Sequence, residues 1–578
     1  MSVFPLKLYA PPTYSQLNKK GAIMSQFEQT RRIFMATTAA AAAAGTTAFA
    51  AAPARTEPKY TRYNLNSPKG QEMLKSYAKG VAAMLALPAD HPHNWFRNAF
   101  VHLMDCPHGN WWFYVWHRGF IGYFEETIRN LSGNPEFALP YWDWTETPRI
   151  PAGLFAGPLT PTDAAFEPTT GNLNIFTSKM KPAMKAYWDK LSSAQRSQLI
   201  KRGYKTFDLM WNDVTGYSPS ADAGISGNMA YAITCGSRYL SRDNPNFDAK
   251  TLDAVSPKKI AAGLSPLDYY NEDNTKSFTS SKTPSHNTAP SGATKFSVLE
   301  GFPHNKVHNC IGGVGAVDPG PYGSMTNFLS PVDPIFFMHH ANMDRLWDVW
   351  TRKQQKLGLP ILPSGDELRT LAEEPFLFFV DGQGKYVGFS KAGAYLSTAA
   401  FNYGYEPARD DGLLLTARPK LKGRKAAPPY AVMAQPDGPG ATAAIPRGVI
   451  DDHLADRLPA PLIAQVTIAR PGGYSTTREF DVLINAPPGV THVEADSPYY
   501  AGTVSFVGPI MAMQGDHGDH GGMEMSPDTT FAVPLPQRPQ AFNLLGATAS
   551  VAVSIRVIPA HNRDAAAPIL KAVSVHSY

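Results

Sequence analysis

The sequence predicts a mainly α-helical domain with long loops, followed by a smaller C-terminal domain of β-sandwich type. Three observations carry that expectation. Apolar residues recur at helical spacing in blocks up to about residue 352, composition turns to Pro, Ala, Gly and Lys over 417–461, and short apolar runs bounded by turn residues follow. At 578 residues the chain is longer than one core usually occupies, so two or more folding units are expected. Hydrophobic residues at 43% and charged residues at 17% exclude a mainly disordered chain.

Residues 1–50 read as an address. Thr30-Arg31-Arg32-Ile33-Phe34 precedes an uncharged, alanine-dominated run to Ala50, and Ala48-Phe49-Ala50 offers a small-x-small cleavage site. The pattern resembles a twin-arginine export signal, which implies a periplasmic or secreted protein that folds and takes up a cofactor before crossing the membrane. The run is short and weakly apolar for a span, so no membrane anchor is expected in the mature form. Of the formal charge of +5, this segment holds +4, from Lys7, Lys19, Lys20, Arg31 and Arg32 against Glu28. The remainder is nearly neutral, which removes the charge argument for a nucleic-acid partner.

In the expected helical domain, 51–416, Ser67-Pro68 reads as a cap and first turn leading into Met73, Leu74, Tyr77, Val81, Met84 and Leu85 at helical spacing. Further helical patterns cover 94–104, 112–131, 180–200 and 334–352, with loops rich in Pro, Gly, Asn and Ser between them. Residues 417–461 read as an exposed linker and a protease target. In 462–578, strands are expected at 463–468, 479–484, 503–507 and 551–557. There is no internal repeat. Three cysteines, Cys106, Cys235 and Cys310, are too few for a disulfide framework.

The chemistry concentrates in histidines. Phe100-Val101-His102-Leu103-Met104-Asp105-Cys106-Pro107-His108 is followed by His117-Arg118, and later come His304-Asn305-Lys306-Val307-His308 and Met338-His339-His340. Residues four apart share a helix face, so His304 and His308 can offer two imidazoles to one ion. A zinc protease needs a glutamate after the first histidine, and Asn305 stands there instead. Six imidazoles without a carboxylate suit copper better than magnesium, calcium or a non-haem iron triad, and two sites of three follow.

These motifs resemble the type-3 dicopper family of tyrosinases, catechol oxidases and molluscan haemocyanin units. The likeness covers about 62–405 and includes Leu139-Pro140-Tyr141-Trp142-Asp143-Trp144. It implies a four-helix bundle around a dicopper site, with His102, His108 and His117 on the first copper and His304, His308 and His340 on the second. O2 would be the bound co-substrate. Adjacent helical residues point about 100° apart, so His339 is left as a neighbour of the site. The family also implies a thioether between Cys106 and His108; read by itself, Cys106 is a small buried hydrophobe. Glu300 and Asn305 match a pair that orients a water to take the phenolic proton, which is needed because a phenol with pKa of about 10 is mostly neutral at pH 7. Phe328 matches an aromatic gate over the second copper, and Asp344, Arg345 and Asp143 read as groups supporting the ligands.

Over about 460–558 the sequence resembles the C-terminal domain of plant-type polyphenol oxidases, carried by Glu479-Phe480-Asp481-Val482-Leu483-Ile484-Asn485 and Tyr500-Ala501-Gly502-Thr503-Val504. Tyr403-Gly404-Tyr405 matches the motif closing the catalytic domain, with Arg62 expected to stack on it. The resemblance implies that the C-terminal domain covers the copper site until cleavage in 417–461. Met511, Met513, His517, His520, Met523 and Met525 form a thioether and imidazole run read either as a transient copper-loading loop or as a polar surface loop. The function implied is a tyrosinase that converts small phenols and diphenols to o-quinones. A catechol oxidase, a haemocyanin-type oxygen carrier and a copper-storage protein are the alternatives. Tyrosine, tyramine and hydroxybenzoates all suit the chemistry, and no motif indicates an oligomeric state.

Overall fold

The computed structural model describes residues 57–215, 229–234, 238–288, 294–318, 320–407, 430–456, 458, 460–469, 477–507, 528–546, 549–561 and 567–577. The export segment, Cys235, residues 417–429 of the expected linker and the 511–525 methionine and histidine run lie outside them.

Helix α1 (Pro68–Ala86) starts as its sequence expects, with Ser67 accepting the Gly70 N–H and Pro68 in the first turn. Helix α2 (Trp95–Asp105) is capped by Asn94, whose side chain accepts from the Phe96 and Arg97 N–H groups. Helix α3 (Phe113–Ser132) ends on Gly133 at φ 70°. The 180–200 pattern is two helices, α4 (Leu173–Asp189) and α5 (Ser193–Lys201), because Ser192 and Gln195 form a capping box that starts a new one. Helix α6 (Asn305–Gly312) continues a π-helical turn, Glu300–His304, and α7 (Ile335–Leu357) follows a loop. Helices α2, α3, α6 and α7 carry four of the six expected ligands. Between α3 and α7, Phe124 and Phe337 stack with centroids 3.5 Å apart.

The short strands of this helical part include β1 (Tyr60–Arg62), β2 (Thr294–Phe296) and β3 (Tyr403–Tyr405). Strands β1 and β3 pair in parallel, joining the two ends of the helical region.

The C-terminal part begins earlier than its composition suggests. Strands β4 (Tyr430–Met433), β5 (Gln435–Asp437) and β6 (Gly440–Pro446) and helix α8 (Arg447–Leu454) occupy the span expected to be a linker. The reason is pairing: the alanines of β6 lie between β5 and a long strand, where small side chains fit a closely packed sheet. The remaining strands are β7 (Ile463–Ala469), β8 (Glu479–Ile484), β9 (Tyr500–Ser505), β10 (Asp528–Pro534), β11 (Ser550–Pro559) and β12 (Ile569–Ser577). They form two five-stranded sheets, ordered β9-β8-β11-β6-β5 and β2-β10-β7-β12-β4.

The second sheet takes its edge strand from the helical part, since β2 pairs in parallel with β10. Buried ion pairs join the same two parts: Lys306 to Glu479 at 2.6 Å and Lys250 to Asp481 at 2.7 Å. From Pro58 onward the chain is accordingly one compact unit.

Candidate metal centre

His102 lies on the last turns of α2, His117 on the second turn of α3, and His340 on the second turn of α7. His304 ends the π-helical turn and His308 follows on α6. His108 comes from the loop between α2 and α3, which turns at Gly109 with φ 66°; a side chain there would press on Thr294 within 2.6 Å. All six are buried except His108, which is half-buried.

Four of these rings have their tautomer fixed by an acceptor. His102 Nδ1 bonds the Phe328 carbonyl at 2.8 Å, His117 Nδ1 the Phe113 carbonyl at 2.8 Å, His308 Nδ1 the Met325 carbonyl at 2.6 Å, and His304 Nδ1 the Asn305 Oδ1 at 2.8 Å. A carbonyl oxygen only accepts, so Nδ1 carries the proton and the lone pair sits on Nε2. The Nε2 atoms of His102, His117 and His304 are buried without a hydrogen-bond partner among the described residues, and that of His308 lies 3.4 Å from His340 Nε2. Burial, reinforced by neighbouring imidazoles, holds His102, His108, His304 and His340 far below the ordinary range for histidine. Burial also takes His117 to about 3 and His308 to about 4. The rings are therefore neutral at pH 7, as metal ligands must be.

Ligand atoms of His102, His108 and His117 lie within 4.8 Å of one another, as do those of His304, His308, His339 and His340. The two groups adjoin, with His117 and His340 stacked at 4.1 Å and 5°. Buried, unpaired, converging lone pairs cost about 1–3 kcal/mol each when nothing binds them. The donor set is all imidazole, which fits copper, and a pair of such ions would satisfy these atoms.

His339 differs. Trp144 Nε1 donates to its Nδ1 at 3.1 Å, which puts the His339 proton on Nε2 and leaves no lone pair for an ion. The resemblance left His339 as a neighbour; Trp144 supplies a physical reason.

Cys106 Sγ stands 3.4 Å from His108 Nδ1, and burial pushes the thiol up to about 12. Phe328 stacks on His108 at 5.3 Å and 21°, so the expected gate also borders the first cluster. Glu300 and Asn305 both bond protein groups. Glu300 accepts from the Gly109 N–H at 2.6 Å and the Ser280 hydroxyl at 2.5 Å. Asn305 accepts from His304 and donates to the Ser505 carbonyl on β9 at 2.8 Å. Burial raises the Glu300 carboxyl to about 8, against the pull of Ser280 and Gly109.

The expected support of the ligands by Asp344 and Arg345 takes another form. Asp344 accepts from Arg118 at 2.7 Å, Arg62 at 3.1 Å and the Tyr403 and Tyr405 hydroxyls, while Arg345 pairs with Asp143 at 2.6 Å. Backbone carbonyls and Asn305 take the histidine N–H groups, because the helices and loops already present acceptors there. Arg62 stacks on Tyr403 at 3.6 Å, as the tyrosine motif led one to expect. Sequence reasoning missed Ser280, Arg202 and Ser505, which come from loops, a helix end and a strand that no local pattern links to the histidines.

Fold and imidazole clusters together define a helical part that gathers seven histidines into two adjoining groups. Residues 79–353 match the common central domain of tyrosinase. Those residues carry the central domain of the type-3 copper family of tyrosinases and polyphenol oxidases. It is 26% identical over 306 residues to polyphenol oxidase II, chloroplastic, of Ipomoea batatas, an alignment covering 50% of this chain and 40% of that protein. It is 27% identical over 293 residues to the chloroplastic polyphenol oxidase of Malus domestica, covering 47% and 37%. These matches thus span about two fifths of the curated relatives. The solved structure of recombinant latent aurone synthase, a polyphenol oxidase, shares the fold at TM-score 0.50 and 18% identity, covering 93% of this chain and 92% of that one.

Proposed function

We propose that this chain is a copper-dependent phenol oxidase that uses O2 to convert small o-diphenols to o-quinones, and that it hydroxylates monophenols at the ortho position once its C-terminal part is displaced. The observation that carries the reading is the set of neutral, buried or half-buried imidazoles whose ring nitrogens converge in two adjoining groups. His102, His108 and His117 would hold one copper and His304, His308 and His340 the other. Bound copper supplies paired one-electron couples between phenol and O2. The chain's own residues do the rest: carbonyls and Asn305 orient the imidazoles, and Phe328 offers an aromatic face to a phenol ring.

Monophenol hydroxylation needs a proton acceptor. Glu300, at about 8, is matched to that task near neutral pH, and a water shared with Asn305 would compete with the bonds both groups make to the protein. The Asn305 bond to Ser505 is the one supplied by the C-terminal part. This supports catechol oxidase behaviour in the intact chain and tyrosinase behaviour after separation.

The arginine pair and alanine run of residues 30–50 support export by the twin-arginine route to the periplasm or beyond. Among the described residues no helix is long and apolar enough to cross a membrane.

The test is oxygen uptake and quinone absorbance with a panel of monophenols and diphenols, before and after proteolysis within 408–429. Diphenol turnover, with monophenol turnover appearing after cleavage and separation, bears the proposal out. Oxygen binding without quinone points to a carrier, and copper without either points to storage.

A further inference from the structure

Arg202 caps α5 at 4% exposure, yet forms no ion pair among the described residues. A buried guanidinium without a carboxylate is costly to keep, so its hydrogen bonds indicate its use. Nε donates to the Leu103 carbonyl and Nη1 to the Cys106 carbonyl, each at 2.7 Å, which fastens the end of α2 just beyond His102. Nη1 also reaches Asn287 Oδ1 at 3.2 Å, and Nη2 donates to Cys106 Sγ at 3.3 Å. The guanidinium carbon stands 5.3 Å from the centre of the Phe328 ring, the same ring that stacks on His108 and whose carbonyl accepts from His102. One planar fork therefore touches the helix end, the thiol and the aromatic wall of the first cluster, a geometry that lysine cannot reproduce.

We propose that Arg202 is a positioning residue for the first histidine cluster, holding the Cys106 sulfur against His108 and Phe328 over it, and so setting the rate at which sulfur and imidazole become joined. The inference rests on the phenol-oxidase reading, which supplies copper and O2. In the joining step the Cys106 S–H and one His108 ring C–H are lost and a C–S bond forms. Two electrons and two protons pass to O2, which leaves as hydrogen peroxide.

The test uses the full chain, prepared without copper, then given copper(II) in air. Joining is followed by the mass of the peptide containing Cys106 and His108, lighter by two hydrogens, and by loss of alkylatable Cys106 after denaturation. Arg202→Met is expected to join about tenfold or more slowly than wild type at unchanged helical circular dichroism. Arg202→Lys, which keeps the charge but not the fork, is expected to be about threefold slow. Val553→Ala, a core truncation in β11, lowers stability without touching Cys106 and should join at the wild-type rate. Equal rates in wild type and Arg202→Met overturn the proposal; should that variant not fold, equal rates in wild type and Arg202→Lys overturn it. A wild type that binds two coppers and oxidises diphenols but keeps Cys106 alkylatable overturns the role of Arg202 alone. One that binds no copper overturns the phenol-oxidase reading with it.

Discussion

Asn305 donates its side-chain N–H to the Ser505 carbonyl over 2.8 Å while its oxygen accepts from His304 Nδ1 at the same distance. One amide thus connects an expected copper ligand to strand β9 of the C-terminal part. Asn305→Ala removes the acceptor that orients His304, so copper affinity is expected to fall about tenfold to a hundredfold. Competition with a graded copper chelator measures it.

His339 and His340 are expected to separate cleanly. His340→Ala should lower bound copper from two ions per chain to one. His339→Phe should leave both in place and, by stranding the Trp144 N–H, reduce unfolding free energy by about 1–3 kcal/mol. Metal analysis and urea denaturation on the same samples read both quantities.

Lys306 is fully buried between His304 and His308 and pairs with Glu479 across the two parts of the molecule. Lys306→Met alone should destabilise the chain by about 3–5 kcal/mol, because it takes the ammonium away from the buried Glu479, which keeps only His561 and the neutral donors Asn309 and Ser505. Adding Glu479→Leu should recover most of that loss, which equilibrium denaturation of the two variants will show.

The same pair gives a pH dependence. Burial alone would raise the Glu479 carboxyl, but Lys306, with His561, holds it at about 2. Its folded value lies below the ordinary 4.5, so its stabilising contribution is complete above that range and is lost as pH falls toward about 2. Thermal midpoints measured between pH 6 and pH 3 should drop less in Glu479→Gln than in wild type.

Phe328→Ala should change selectivity more than turnover. Removing the ring over His108 opens room beside the cluster, so kcat/KM for a bulky diphenol should rise relative to a small one by about tenfold. Paired steady-state assays on catechol and a bulky substituted catechol give that ratio.

Much of the site was legible because its chemistry is local. His304 and His308 share one helical segment, His102 and His108 flank Cys106, and Ser67-Pro68 marks a helix start without help from the rest of the fold. The C-terminal boundary was not legible. Alanines 441, 443 and 444 look like linker composition, and only the pairing of β6 with β11 makes them sheet. The carboxylate and amide at Glu300 and Asn305 were found as residues, but their partners Gly109, Ser280 and Ser505 lie up to 200 positions away in sequence. Arg202, about 100 residues from Cys106, belongs to the same class. Contacts of that range are made by tertiary packing, which spacing along the chain does not encode.

The central claim is that six histidines hold two copper ions in separate triads. Copper content of the purified, copper-loaded chain, compared with His117→Ala and His308→Ala, tests it most directly. The account predicts two ions per wild-type chain and one in each variant. One ion or none in wild type, or two retained in either variant, would contradict it.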